Sequence, residues 1–259
     1  MVGVPATTGR YRLAVGTRAL YDGIGHGYAR HRRPDPVIAA MVLETLGPSR
    51  TVVSVGAGTG SYEPADRWVV AVEPSSVMVR QRPPGAAPAV RGLAGLVPLR
   101  SSSFDAALAV LTIHHWPDPW AGLAEMRRVA RRQIVLTFDP VAHCSHWLTD
   151  YVPEIGDLFR AAPPVEAVAE AIGARQVLVV PLAHDTPDGM TVAYWRRPWA
   201  YLDPELRSGG SALQQVDAAA LERGLRRLEA DLSSGAWQAR YGTLLAAEAM
   251  DYGLRLVVS

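Results

Sequence analysis

Lysine is absent from the 259 residues, and all 26 basic side chains are arginines. That removes every mechanism built on a lysine, such as a Schiff base or a phosphate-loop lysine. There is one cysteine, Cys144, so the chain can close no internal disulfide and holds no cysteine-rich metal site. Long apolar runs are missing too. The longest, 106–113, falls well short of the roughly 20 residues that cross a bilayer, so no membrane partner is expected. The opening "MVGVPATTGRYRLAV" lacks the apolar centre of a signal peptide, and a cytoplasmic protein is the expectation. Charge bias is also lacking: net charge is +1, with acids and bases mixed along the chain. Nothing resembles a nucleic-acid stripe or an acidic tail. There is no internal repeat and no low-complexity tract.

What is present is a 49% hydrophobic chain of a length that suits one sizeable core with an attached lid. Short β-branched runs at 51–56, 68–73, 87–92, 104–113, 133–138 and 175–182 predict strands, with a last one at 252–259. Amphipathic stretches predict helices over 37–46, 76–82, 119–132 and 165–172, with Asp118 capping the third. Strands that are apolar on both faces and alternate with helices predict a parallel sheet covered on both sides. The expected fold is α/β and Rossmann-like: a seven-stranded, mostly parallel sheet with helices on both faces and a helical lid inserted before the last strand. The corresponding division is an N-terminal arm over 1–36, a core over 37–182, a lid over 183–250 and a final strand over 251–259. Residues 140–160, aromatic and mixed in polarity, show no clear period.

The stretch "TVVSVGAGTGSYEPADRWVVAVEPSS" carries the chemistry. A strand ends in Gly56, Gly58 and Gly60, which lets backbone amides approach a ligand that side chains would block. The next strand ends on Glu73, an acceptor for two ribose hydroxyls. Ligands of such sheets bind at the carboxyl ends of the strands. A dinucleotide loop reads G-x-G-x-x-G and leads into a helix whose N-terminus holds pyrophosphate. Here the third glycine comes one residue early. Ser61 to Trp68 leaves room for only about one helical turn. One nucleoside fits this loop better than two.

"VVSVGAGTG", "VVAVEPS" and "SFDAALAVLTIHHWPDPWAGLAEMRRVAR" resemble the class I S-adenosylmethionine-dependent methyltransferases, and within them the small-molecule branch with the ubiquinone and menaquinone enzymes. The resemblance covers about residues 20 to 140. It implies S-adenosylmethionine as cofactor and methyl transfer to a small organic acceptor in secondary or cofactor metabolism. It also implies cofactor-binding roles. Gly56, Ala57, Gly58 and Gly60 would line the methionine part. Glu73 would hold the ribose, with Pro74, Ser75 and Met78 beside ribose and adenine. Ala94 would offer its amide to the adenine, while Leu93 stands where the family has an acid. Leu111, Ile113 and His114 would line the other side. An arm such as "YDGIGHGYARHRRPDP" folds over the cofactor in this family, with Tyr21 and Tyr28 as walls near the sulfonium and Arg32 as partner of the methionine carboxylate.

His114 and His115 follow the fourth strand at the ligand-binding edge, where either could serve as general base or pack structurally. Asp139 ends the fifth strand and could orient a substrate or cap the next turn. "HCSHW" holds His143, Cys144 and His146, too few donors for a metal, and none is expected; a wall of the lid is the better reading of this stretch. An Asn/Asp-Pro-Pro-Tyr motif of nucleic-acid amino-methylation is missing after the fourth strand, so nucleic acid is not an expected partner. Two alternatives stay open: chemistry at another carbon of S-adenosylmethionine that releases methylthioadenosine, and a non-catalytic cofactor-binding partner protein. Oligomeric state is not legible in the sequence.

Overall fold

The computed structural model describes residues 19–259. The first half of the expected arm and the opening examined for a leader lie outside them. Seven strands make one sheet: β1 Thr51–Val55, β2 Trp68–Val72, β3 Ala89–Val90, β4 Phe104–Val110, β5 Ala130–Phe138, β6 Gln176–Val179 and, last in the chain, Leu254–Val258. Between β6 and that last strand, β7 Leu182–Ala183 and β8 Ala249–Met250 pair as a separate two-stranded ribbon; the last strand is therefore β9. The sheet order is β3-β2-β1-β4-β5-β9-β6, with β9 antiparallel to both of its neighbours and the other pairings parallel.

Strand alternation divides the core in two. Val52, Ala106, Leu108, Ile134 and Leu136 face one side, where the Pro36–Leu46 helix packs through Ile38, Val42 and Leu46. Val53, Val55, Ala107, Ala109 and Val135 face the other, under Leu123 and Met126 of the Pro119–Val129 helix and Val168 and Ile172 of the Val165–Ile172 helix. Both faces being dry is why the strands read as continuous apolar runs.

Several elements differ from expectation; the expected 104–113 strand stops at Val110, and the expected 175–182 strand at Val179. The expected 87–92 strand is only two residues long, at the sheet's edge. β5 begins three residues early, directly where the Pro119–Val129 helix stops. Residues 140–160, which show no period, form three short helices, Pro140–His143, Leu148–Tyr151 and Pro153–Arg160. The first two are single turns with no room for a stripe, while Pro153–Arg160 buries Ile155 and Phe159 on one face.

The segment between β7 and β8 carries the Ala218–Ser234 and Ala236–Tyr241 helices and several short turns. It is built on a buried aromatic cluster: Trp147, Trp195, Tyr201 and Trp237 are all nearly inaccessible. Trp147 donates from Nε1 to the Trp195 carbonyl at 2.8 Å, fixing this cap to the helices after β5. Among the described residues no helix is long and apolar enough to cross a membrane.

Candidate active site

β1 and β4 are neighbours, yet the chain leaves β1 toward β2 and leaves β4 toward β5. A crevice opens between their carboxyl ends at such a reversal. The glycine loop enters it from one side and residues 111–116 from the other. Gly56 has φ +67°, and a Cβ there would lie 2.3 Å from Thr112 Oγ1. Only a bare backbone lets the two loops close to this distance. Gly56 and Ala57 both donate their amides to the Val72 carbonyl, at 2.9 and 3.2 Å, tying the loop to the end of β2.

Glu73 follows directly and is buried. Its Oε2 accepts the Gly58 amide and its Oε1 the Ser75 amide, each at 2.8 Å. Burial raises its pKa, and these two amides oppose the rise. Each oxygen keeps a lone pair, so the carboxylate can still receive two hydroxyls. Ser75 caps the Ser76–Arg80 helix and donates its hydroxyl to Asp22 at 2.7 Å. Met78 is buried, with its Cε 3.3 Å from where a Gly58 Cβ would stand and its Sδ 2.9 Å from where a Gly25 Cβ would. Glycine loop, Glu73, Ser75, Met78 and the arm thus converge. A loop shaped for backbone approach beside a hydroxyl-accepting carboxylate fits the ribose and methionine parts of S-adenosylmethionine.

Several expected contributions are placed otherwise. Leu93 is exposed and closes a small turn with Leu96, so its side chain forms no wall. The side chains of Ala94 and Ile113 are buried in the sheet-side core, which is compatible with the backbone roles that the resemblance implies for them. Pro74 gives its carbonyl to Arg91. Arg32 is buried and ion-paired with Asp188 of the cap, and its Nη1 donates to the Gly209 carbonyl at 3.4 Å. It is therefore committed to the cap and not to a methionine carboxylate. Asp139 is the N-cap of Pro140–His143, its Oδ1 accepting the Ala142 amide at 2.7 Å; that carboxylate serves the helix and does not line the cavity described next.

Beyond the crevice lies a cavity of about 60 Å³. Tyr21 and Arg32 of the arm, Leu111, His114 and His115 after β4, and Phe138 at the end of β5 line one part. His143, Leu158 and Phe159, with Met190, Thr191, Ser211, Ala212 and Gln215 of the cap and Leu254 of β9, line the rest. Leu111 sits at φ +49°, a left-handed conformation that a leucine adopts at a cost, held by its amide bond to the Leu136 carbonyl. The rings of His114 and His115 are 4.0 Å apart, and His114 meets Phe138 at 4.9 Å. Tyr21 hydroxyl lies 3.0 Å from His115 Nε2 and its ring stands edge-on to Tyr28 at 5.4 Å, so both tyrosines reach the site. Burial pushes the pKa of His115 down to about 4 and that of His114 well below the usual range, keeping both rings neutral near pH 7.

The cap residues and Phe159 are invisible to sequence reasoning, because the lining comes from segments far apart in the chain with no local pattern. His143 reads in the sequence as a poor metal donor and as part of a lid wall, and the structure places it in the lining of the cavity. Among the described residues no group of three or more potential ligands could hold a metal ion.

Comparisons with known proteins agree with this geometry. A methyltransferase-domain family profile matches residues 53–138. The chain is 31% identical to an Anabaena variabilis protein assigned as a methyltransferase from an antibiotic biosynthesis pathway, with a TM-score of 0.82 over 88% of this chain and 98% of that one. It shares its fold with a Thermotoga maritima S-adenosylmethionine-dependent methyltransferase described as a possible histamine N-methyltransferase, at 24% identity and a TM-score of 0.50 over 64% of this chain and 86% of that one. No curated protein matches. When bound, S-adenosylmethionine supplies a sulfonium that makes its methyl group electrophilic. The glycine-loop backbone and Glu73 would hold it, and the arm would shield it. The chain belongs to the class I S-adenosylmethionine-dependent methyltransferases, and it is an enzyme that uses this cofactor.

Proposed function

We propose that the enzyme methylates a small organic acceptor, held in the cavity between the ends of β4 and β5 and the cap, in secondary metabolism. The observation that carries this reading is the cavity itself. Its walls are aromatic and aliphatic, it adjoins the crevice of the glycine loop, and the cap closes over it. Apolar walls with a few convergent polar groups are the usual form of a small-molecule site. At about 60 Å³ it is smaller than the roughly 150 Å³ that accommodates benzene in a dry protein cavity. The acceptor therefore enters when cap and arm part, and is sealed from water when they close. A nucleic acid or a membrane surface is a poor partner for so enclosed a site and for a chain of net charge +1. The pathway named for the Anabaena variabilis relative supports a role in secondary metabolism. A cytoplasmic setting suits a chain whose single cysteine is free.

Alignment and water exclusion supply most of what such a transfer needs. Incubating the enzyme with S-adenosylmethionine and a host metabolite extract, followed by mass spectrometry, tests the reading. A small metabolite should gain a methyl group while S-adenosylhomocysteine accumulates. Methylthioadenosine as the spent cofactor, or methyl groups found only on macromolecules, would sink it.

A further inference from the structure

Four histidines crowd beneath the cap, and their ring nitrogens are committed differently. His146 accepts the Leu148 amide on Nδ1 at 3.0 Å and meets the Tyr201 hydroxyl through Nε2 at 3.3 Å, so both nitrogens are occupied. His115 has its Nε2 on the Tyr21 hydroxyl. His114 lines the cavity, but its Nδ1 is buried with no partner, and an imidazolium there would strand an N–H in apolar surroundings.

His143 is arranged otherwise. Its Nδ1 lies 2.6 Å from the Tyr252 carbonyl oxygen, which can only accept. Nδ1 therefore carries the proton and Nε2 is a bare lone pair. The ring is held between Phe138, stacked at 4.2 Å, and Phe159, edge-on at 4.3 Å. It is shut away from bulk water yet lines the cavity. Burial disfavours the charged ring and pushes its pKa down to about 4; the Tyr252 carbonyl, and after it Asp139 at the N-cap of the same short helix, oppose that and favour the charged form. The other ionisable groups around it are His114, His146 and, across the cavity, Arg32 with its partner Asp188. A base whose second nitrogen is pinned by an acceptor is the arrangement that activates a nucleophile.

The lining also narrows the acceptor. Among the described residues facing the cavity, Arg32 is the one cationic side chain, already neutralised by Asp188, and no carboxylate is present to hold an ammonium group. Thr191, Ser211 and Gln215 are neutral. A neutral, flat molecule with an ionisable hydroxyl suits these walls. A hydroxyl of phenolic acidity, near pKa 10 as in tyrosine, is within reach of an imidazole where an alkyl alcohol is not.

We propose that His143 is the general base of the methyl transfer, removing the proton of a phenolic or enolic hydroxyl on an acceptor bound in this cavity. The proposal rests on the methyl-transfer reading above. As the acceptor's O–H bond breaks, its proton passes to Nε2 and its electron pair forms the new oxygen–methyl bond. The bond from methyl to sulfonium breaks with its pair remaining on sulfur. The positive charge moves from sulfur to the imidazolium, where Tyr252 and Asp139 receive it.

Two measurements decide. Nitrogen-15 NMR of the wild-type enzyme at neutral pH, with rings assigned through bond, should show His143 protonated on Nδ1 and bare on Nε2. Release of S-adenosylhomocysteine should then be followed with 4-methylphenol, weakly acidic, and 4-nitrophenol, largely ionised in mild alkali. His143→Gln should lower kcat on 4-methylphenol about 100-fold or more, and on 4-nitrophenol less than about tenfold. Its affinity for S-adenosylmethionine by calorimetry should stay within about twofold. A proton on Nε2, equal losses on both phenols, or turnover of benzylamine in place of phenols would each overturn the proposal alone. Failure of the wild type to bind S-adenosylmethionine would overturn the methyl-transfer reading, and the proposal with it.

Discussion

Glu73 and Gly56 show how closely single residues define the cofactor crevice. Both Glu73 oxygens are anchored by amides, so the carboxylate is oriented before any ligand arrives. Glu73→Ala should weaken S-adenosylmethionine binding by about 1.5–3 kcal/mol, as for loss of hydrogen bonds to a charged group. Calorimetric titration reads it directly, and unchanged affinity would assign the acid to holding the loop alone. Gly56→Ala acts through the backbone. A left-handed alanine costs roughly 1–2 kcal/mol, and its Cβ would also collide with Thr112 Oγ1. Denaturant unfolding should register at least that loss. The double variant Gly56→Ala with Thr112→Ala should recover the part due to collision with Thr112, less the hydrogen bond that Trp116 Nε1 donates to Thr112 Oγ1, and leave the part due to φ and to the close approach of Trp116 Nε1. Full recovery would mean that the loop can abandon its left-handed turn.

At the scale of elements, the arm, the short crossover after β1 and the cap meet at Asp188. Arg32 pairs with it, Tyr62 donates its hydroxyl to Oδ2 at 2.8 Å, and the Gly189 amide donates to the His31 carbonyl at 2.9 Å. Tyr62 also accepts the Asp35 amide at 3.0 Å. The crossover carries no helix, and Glu63 instead pairs with Arg82 at 2.5 Å in a buried bridge beside the glycine loop. The cleft that a missing helix would leave open is thus closed by Tyr62 and the arm. Asp188→Ala should destabilise the protein by about 3–5 kcal/mol, because it strands the buried Arg32 charge. Replacing both partners, Arg32→Met with Asp188→Leu, should restore most of that in chemical denaturation. If the single variant is as stable as the wild type, the pair is not holding arm to cap. This junction also shows where sequence reasoning stops. The strands were legible because each is apolar on both faces, and the glycine loop because its backbone demand is local. The methionine-carboxylate role of Arg32 comes from the family resemblance alone; the partner that the structure gives it, Asp188, stands 156 positions away in a segment without period. The short helices between Pro140 and Arg160 were missed for a related reason. Proline and aspartate caps start some of them, but two are single turns, and the apolar face of Pro153–Arg160 rests on little more than the Ile155–Phe159 pair.

For the whole molecule, the burial of histidines beneath the cap couples folding to pH. Burial pushes His143 down to about 4 and His146 to about 3, and both side chains are nearly inaccessible. Unfolded, each would titrate near 6.5. Between those values the unfolded chain binds protons that the native one does not, so stability rises with pH there and is lost as pH falls from about 6.5. At about pH 5 the loss is on the order of 2 kcal/mol for each ring, a substantial share of an ordinary 5–15 kcal/mol margin. Glu73 acts in the opposite sense, since its raised pKa favours the folded state as acid is added, but its two amide bonds limit that effect. The balance should be a denaturation midpoint that falls steadily from about pH 7 to about pH 5. His114 and His115 are depressed by burial in the same sense, so His146→Gln should flatten this slope by about a quarter, while lowering stability at neutral pH because both nitrogens of His146 are bonded within the fold. Urea titrations of both proteins across that range read the slope. A midpoint independent of pH in the wild type would mean that the cap opens to water readily enough for these rings to charge in the native state.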